Sequence, residues 1–108
     1  SGSNIPDPVA WYLSNSNAIT HTVGTKTANE LGMFDMSGNV WEWVWDIYGS
    51  YPSGEQTNPL GASSGPYRVF RGGSWGNTDT YCLVSFRTSY TATTVGDGIG
   101  FRICRNSQ

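Results

Sequence analysis

The chain sets short apolar runs between long polar stretches. Nowhere does it sustain apolar residues at i, i+3, i+4 and i+7 over three turns, which argues against a long amphipathic helix. The helix the pattern does predict is short, over Pro8 to Leu13, with Asp7 at the N-cap and Pro8 opening it. Ser14, Asn15, Ser16 and Asn17 follow at once and end it. Strand signals are stronger. In Val40 to Asp46, Trp41, Trp43 and Trp45 share one face and Val40, Glu42, Val44 and Asp46 the other, and bulk on both faces predicts a central strand. Further strands are expected over Tyr67 to Arg71, over Tyr81 to Arg87 with Cys82, Val84 and Phe86 on one face, and over Gly100 to Cys104. The expected core is Trp41, Trp43, Trp75, Val84, Phe101 and Ile103. The stretches Gly49 to Pro66 and Thr88 to Gly98 are long for a small domain, and loops of that length are often functional.

Composition narrows the class. At 108 residues the chain is one small domain with little stability to spare. Charged residues make up only 13%, but 14% are aromatic and five are Trp, so the chain reads as compact and loop-rich rather than disordered. With a net charge of −2 and Lys26 as its one lysine, it has nothing to track a phosphate backbone, which argues against a nucleic-acid partner. No apolar run approaches the roughly 20 residues that span a bilayer. Ser1-Gly2-Ser3, without Met, reads as a cloning scar or a processed end. Cys82 and Cys104 are two packed thiols or a single disulfide; the sequence leaves both open.

Three blocks in order are distinctive: Leu31 to Trp43 (containing Gly38-Asn39-Val40-Trp41-Glu42-Trp43), Arg68 to Trp75 (containing Arg71-Gly72-Gly73-Ser74-Trp75), and Gly100-Phe101-Arg102-Ile103. Together with Val9-Ala10-Trp11-Tyr12 and Thr20-His21-Thr22-Val23-Gly24, they resemble the C-terminal half of the formylglycine-generating enzyme (sulfatase-modifying factor) family. The resemblance implies an α+β, C-type-lectin-like fold, truncated here to a single minimal domain over 1–108, strand- and loop-rich with few helices. Family domains are about twice this long. Sheet edges left open by the missing half would need covering, for example by self-association.

The resemblance also implies what is missing. Oxidising members hold copper on a closely spaced Cys pair just after the Gly-Gly-Ser block, because soft Cu(I) needs soft sulfur ligands close together. Only Cys82 lies there in this chain. The sulfoxide-synthase branch holds iron on several His, and His21 is the sole histidine, better read as a surface or hydrogen-bonding residue. No copper, no iron and no catalytic residues are therefore expected. A structural calcium is expected on the side chains of Asp35 and Glu42 and the carbonyls of Gly38 and Val40, which suit a hard cation wanting six to eight oxygen ligands. The alternatives are that the two carboxylates cap the turn, or that Glu42 pairs with Arg102 or Arg87.

Some members of the family are variable proteins of diversity-generating retroelements, with randomised positions between the Gly-Gly-Ser-Trp and Gly-Phe-Arg blocks. Errors at adenine turn Asn codons into a limited set that excludes Lys, Glu, Gln, Met and Trp. Gly76 to Gly98 contains none of those five. The candidate recognition residues are Asn77, Thr78, Asp79, Thr80, Tyr81, Leu83, Ser85, Phe86, Thr88, Ser89, Tyr90, Thr91, Thr93, Thr94 and Asp97. Tyr and Phe give contact area at little entropic cost, and Ser, Thr, Asn and Gly give adaptable hydrogen bonds, as in antibody paratopes. An ordinary polar loop is the alternative. The expected function is a non-catalytic scaffold that binds a protein or other surface ligand, with a location at the cell surface, secreted or on a phage. The competing readings are a degenerate sulfatase-modifying domain or accessory half needing a partner chain, and an oxidase with a single-Cys site.

Overall fold

The computed structural model describes residues 4–105. Its centre is β1 (Trp41–Ile47), which carries bulk on both faces and is paired on both sides. β2 (Tyr67–Arg71) lies antiparallel along one side, with Trp43 opposite Phe70 and Glu42 opposite Arg71. β3 (Arg87–Thr91) continues the sheet antiparallel to β2, and the two-residue β4 (Ile99–Gly100) runs parallel to β1 on its other side, giving the order β3-β2-β1-β4. A register shift between Trp43 and Ile47 bends β1 where Ile47 also bridges to Ala62 of the long loop.

The chain before β1 is irregular. The helix expected over Pro8 to Leu13 is a single turn: the amides of Val9 and Ala10 both donate to the Pro6 carbonyl. The next donors are taken elsewhere, Tyr12 N by Asn15 Oδ1 at 2.9 Å and Leu13 N by the Asn77 carbonyl at 2.9 Å. A local side chain and a distant carbonyl thus replace the i→i+4 ladder. Among the described residues, helical structure is confined to one 3-10 turn, Asp79–Cys82.

That turn corrects the third predicted strand. Residues 79–82 coil, Phe86 N closes a further turn onto the Leu83 carbonyl, and the ladder begins only at Arg87. The alternation of Cys82, Val84 and Phe86 imitated a strand over too few residues, whereas the run Thr88-Ser89-Tyr90-Thr91 has the β-branched and aromatic character that a ladder favours. The strand predicted over Gly100 to Cys104 is likewise only Ile99–Gly100. Beyond it the chain leaves the ladder as Arg102 reaches across to Glu42.

The core shifts with these changes. Phe70 is fully buried, and Val9, Ala10, Tyr12, Val69 and Cys82 are buried with it. Trp41 is buried as expected, while Trp43 and Trp75 are half-buried. Val84, Phe101 and Ile103, expected inside, are 74%, 77% and 87% exposed. Trp43 meets Phe70 edge-on with ring centroids 3.9 Å apart, and Phe70 in turn touches Tyr90 at 5.3 Å, so one sheet face is an aromatic stack.

Candidate functional site

The segment after β2 is fastened mainly through its main chain. Gly73 sits at φ +70°, and a Cβ there would come within 3.0 Å of the Tyr81 carbonyl, so the 3-10 turn lies directly on this glycine. Ser37 Oγ donates to the Cys82 carbonyl at 3.0 Å in a buried contact. Arg71 Nη1 donates to the carbonyls of Val84 (3.0 Å) and Phe86 (3.4 Å). Three groups outside the segment thus set the path of residues 81–86, while Leu83, Val84 and Ser85 project outward. Leu83, Val84 and Asp79 line a cavity of about 660 Å³ together with Pro6, Val9 and Ala10.

The remaining expected recognition residues divide by environment. Thr78, Asp79 and Thr80 are exposed. Asn77 is half-buried and spent on structure, its Oδ1 accepting from Ser74 N at 3.1 Å and Ser74 Oγ at 2.7 Å. Tyr81 is partly exposed but lies edge-on to Trp41 (6.1 Å) and Phe86 (4.7 Å), and Phe86, half-buried, also touches Trp41. On β3, Thr88 and Ser89 are half-buried and Tyr90 exposed. In the turn after it, Thr91 Oγ1 reaches Thr94 Oγ1 at 3.0 Å and Thr93 Oγ1 at 3.5 Å, and Asp97 is exposed. The expected set left out Val84, assigned to the core by a strand parity that does not exist. The signal was present, since Val belongs to the adenine-error set and Val84 lies inside the 76–98 stretch.

The expected calcium ligands line one cavity of about 490 Å³. Asp35 is buried at φ +54°; its Oδ2 accepts from Gly24 N at 2.7 Å and its Oδ1 is buried with no partner. Gly38, at φ +78°, fits against Trp11, whose carbonyl oxygen would lie 2.5 Å from any Cβ. Glu42 is held by Arg102, with Nη2 to Oε1 at 2.9 Å and Nε to Oε2 at 3.1 Å. Of the two arginines the sequence left open as partners for Glu42, Arg102 is the one in place. Asp35 Oδ1 is the oxygen here that suits a hard cation, being buried and otherwise costly to leave unpaired, while both Glu42 oxygens are taken by Arg102. The described residues hold no cluster of three or more His, Cys, Asp or Glu, so further ligands there would be carbonyls or water.

Two single residues complete the picture. His21 stacks on Trp11 at 3.7 Å, its Nε2 lies 2.7 Å from the Ser16 carbonyl, and its main-chain amide donates to Asn39 Oδ1, as a hydrogen-bonding residue should. Cys82 and Cys104 are free thiols, one buried and one exposed, so the expectation of two packed thiols fails at Cys104. Burial, with Asp79 nearby, pushes the Cys82 thiol up to about 11.

A sheet of this order, with a tryptophan-rich central strand and residues 81–86 pinned by Ser37, Gly73 and Arg71, belongs to the lectin-like folds. Residues 4–107 match the sulfatase-modifying factor enzyme 1-like domain, and the chain belongs to that family. It is 32% identical to the chaperone protein LppX of Paenibacillus barcinonensis, over 98% of this chain and 41% of that one. It is 36% identical to the formylglycine-generating enzyme of Streptomyces coelicolor, over 81% of this chain and 29% of the enzyme. The solved structure of Treponema denticola variable protein 1 superposes with a TM-score of 0.87 at 38% identity, over 94% of this chain and 38% of that one. The fold is the C-type-lectin-like fold of formylglycine-generating-enzyme type, and the chain spans less than half the length of these relatives.

Proposed function

We propose that this chain is a non-catalytic ligand-binding domain whose recognition surface is the 76–98 segment, in the manner of a diversity-generating retroelement variable protein. The observation that carries the reading is the fastening of residues 81–86 by Ser37, Gly73 and Arg71 while Leu83, Val84 and Ser85 face outward. Side chains at those three positions can change without removing a bond that holds the backbone. The likeness to a protein named as variable supports the same reading. The non-catalytic part rests on thiol number: Cys82 is buried and stands alone in the stretch where oxidising relatives would use a Cys pair, and Cys104 lies beyond the Gly-Phe-Arg block. The ligand is a protein or other surface ligand, with nucleic acid disfavoured by the net charge of −2. No helix among the described residues is long and apolar enough to cross a membrane.

Sibling copies of the gene in the source genome test this. Differences confined to codons 77–97, with Arg71 to Trp75 constant, are the expected result. Differences spread evenly through the buried positions overturn it.

Calcium belongs to the same proposal, as a structural ion held by Asp35, Glu42 and the carbonyls of Gly38 and Val40. The support is the unpartnered Asp35 Oδ1 and the single cavity that all four residues line. A second reading, an accessory half that pairs with another chain, is favoured by one observation: Leu31, Phe101 and Ile103 are large apolar side chains that are each mostly exposed. A monomer in sedimentation at high micromolar concentration removes self-pairing from that reading.

A further inference from the structure

The long loop between β1 and β2 closes a third cavity, on the sheet face opposite the aromatic stack. The registers that place Phe70 opposite Thr88 and Arg71 opposite Arg87 put the two arginines on the same face as Val69 and away from Phe70. Both line a cavity of about 300 Å³, together with Asp46, Tyr51, Leu60 and Val69. The loop comes close: a Cβ on Gly61 would lie 2.9 Å from Asp46 Cβ, and Gly61 holds φ +81° to make that approach.

Like charges directly opposite each other on neighbouring strands are destabilising. Here they are half-buried as well, and the ion pair found among the described residues is Arg102–Glu42, which leaves both guanidiniums without a carboxylate. Neutral groups take part of their donor capacity. Arg71 uses Nη1 on the Val84 and Phe86 carbonyls and Nη2 on Tyr51 Oη at 3.1 Å. Arg87 donates from Nη2 to the Gly49 carbonyl, and its guanidinium lies over the Tyr51 ring at 3.8 Å and the Tyr48 ring at 4.6 Å. A guanidinium has five donors, so these contacts leave several N–H groups free beside a cavity of ligand size. None of the contacts supplies negative charge.

We propose that this cavity binds a small organic carboxylate. The carboxylate lies against Arg71 and Arg87, whose fork geometry matches its two oxygens. Its apolar body lies against Val69 and Leu60, with the Tyr51 ring as a side wall. Asp46 lines the same cavity and excludes a second negative charge, so a monocarboxylate is favoured over a dicarboxylate. The site adjoins the recognition segment without using its outward-facing residues 83–85: Arg87 belongs to residues 76–98, and the Arg71 guanidinium also holds the Val84 and Phe86 carbonyls.

Benzoate is the probe, with benzamide as its uncharged isostere and acetate as a carboxylate without the apolar body. Titration of the full chain followed by amide NMR should give shifts centred on Tyr51, Arg71 and Arg87 for benzoate. Benzamide and acetate should bind at least about tenfold more weakly. Arg87→Gln should abolish the benzoate shifts. Because that change also removes a strut of the loop, Asp46→Asn serves as the second variant: it removes a repelling charge, and benzoate should bind about two- to fivefold more tightly. Equal binding of benzoate and benzamide, or no tightening in Asp46→Asn, overturns the proposal.

Discussion

Arg102 grips the carboxylate of Glu42 from 60 residues away, with Nη2 to Oε1 at 2.9 Å and Nε to Oε2 at 3.1 Å, and the same Nη2 reaches the Asp35 carbonyl at 3.0 Å. One side chain thereby ties the Gly-Phe-Arg block to both ends of the Asp35–Glu42 turn. The hydrogen bonds to Glu42 hold the guanidinium charged, raising its pKa further. Lysine keeps the charge but not the fork. Arg102→Lys should lower the melting temperature by about 3–6 °C, corresponding to about 1 kcal/mol, since partial exposure of the pair limits its worth. An unchanged melt would show the fork to be incidental.

The calcium proposal has a direct readout. An ion that binds only the native state stabilises it, by about 2.7 kcal/mol at a hundredfold excess over Kd. Melts in calcium and in chelator should therefore differ, and Asp35→Asn should remove the difference. Identical melts for the natural chain dispose of the ion.

Core changes should separate buried from exposed aromatics. Phe70 is fully buried between Trp43 and Tyr90, so Phe70→Ala should cost about 3–5 kcal/mol and leave a 108-residue domain close to unfolding. Trp45, on the same strand two residues after Trp43, is 85% exposed and lies beside Arg68, with the guanidinium 4.9 Å from its ring. Trp45→Ala should change stability by about 0.5 kcal/mol or less. Urea unfolding of the two variants decides between them.

The two thiols should behave oppositely. Cys104 is exposed and should be alkylated by iodoacetamide at pH 8 in the folded protein, while Cys82 should react only on unfolding. Burial raises the Cys82 thiol from 9.0 to about 11, so the unfolded chain loses that proton first. Its contribution to stability is complete below about pH 9 and is lost progressively as pH rises toward 11. Tyrosines also ionise in that range, so Cys82→Ala is the reference: its stability should fall less steeply between pH 9 and 11. Equal slopes would contradict the assignment.

What the sequence made legible follows from how locally each signal is encoded. β1 and β2 could be read because their side chains pack on the sheet itself, so alternation and bulk are visible over five or more residues. The path of residues 79–86 was hidden because distant groups decide it: Gly73 beneath Tyr81, Ser37 on the Cys82 carbonyl and Arg71 on the Val84 carbonyl. The helix over Pro8 to Leu13 failed partly for the same reason, with the distant Asn77 carbonyl taking the Leu13 amide, and partly through a local side chain, Asn15, taking the Tyr12 amide. The Asp35–Glu42 turn was readable through its motif, but the choice of Arg102 over Arg87 as partner was not, because only the fold brings residue 102 to residue 42. The arginine cavity left no local signal at all, since Arg71 and Arg87 meet only through the β2–β3 register.

The recognition surface carries the sharpest expectation, because its residues are unequal. Leu83 and Val84 are well exposed, and no ring contact or hydrogen bond depends on their side chains; Arg71 holds the Val84 carbonyl, which survives any substitution. The double change of Leu83 and Val84 to Ser should shift stability by no more than about 0.5 kcal/mol while removing the two exposed apolar side chains that residues 81–86 present free of ring contacts. Tyr81 and Tyr90 are different. Their rings lean on Trp41 and Phe70, so each change to Ser should cost about 1–2 kcal/mol whatever the surface binds. Arg71→Lys leaves every side chain of the segment in place but loses the two carbonyl bonds that set its path. It should loosen residues 83–86, seen as faster amide exchange there than at β1. If Leu83 and Val84 to Ser unfolds the domain, or if Arg71→Lys leaves exchange in 83–86 unchanged, the segment is not a surface held from outside, and the recognition reading loses its physical basis.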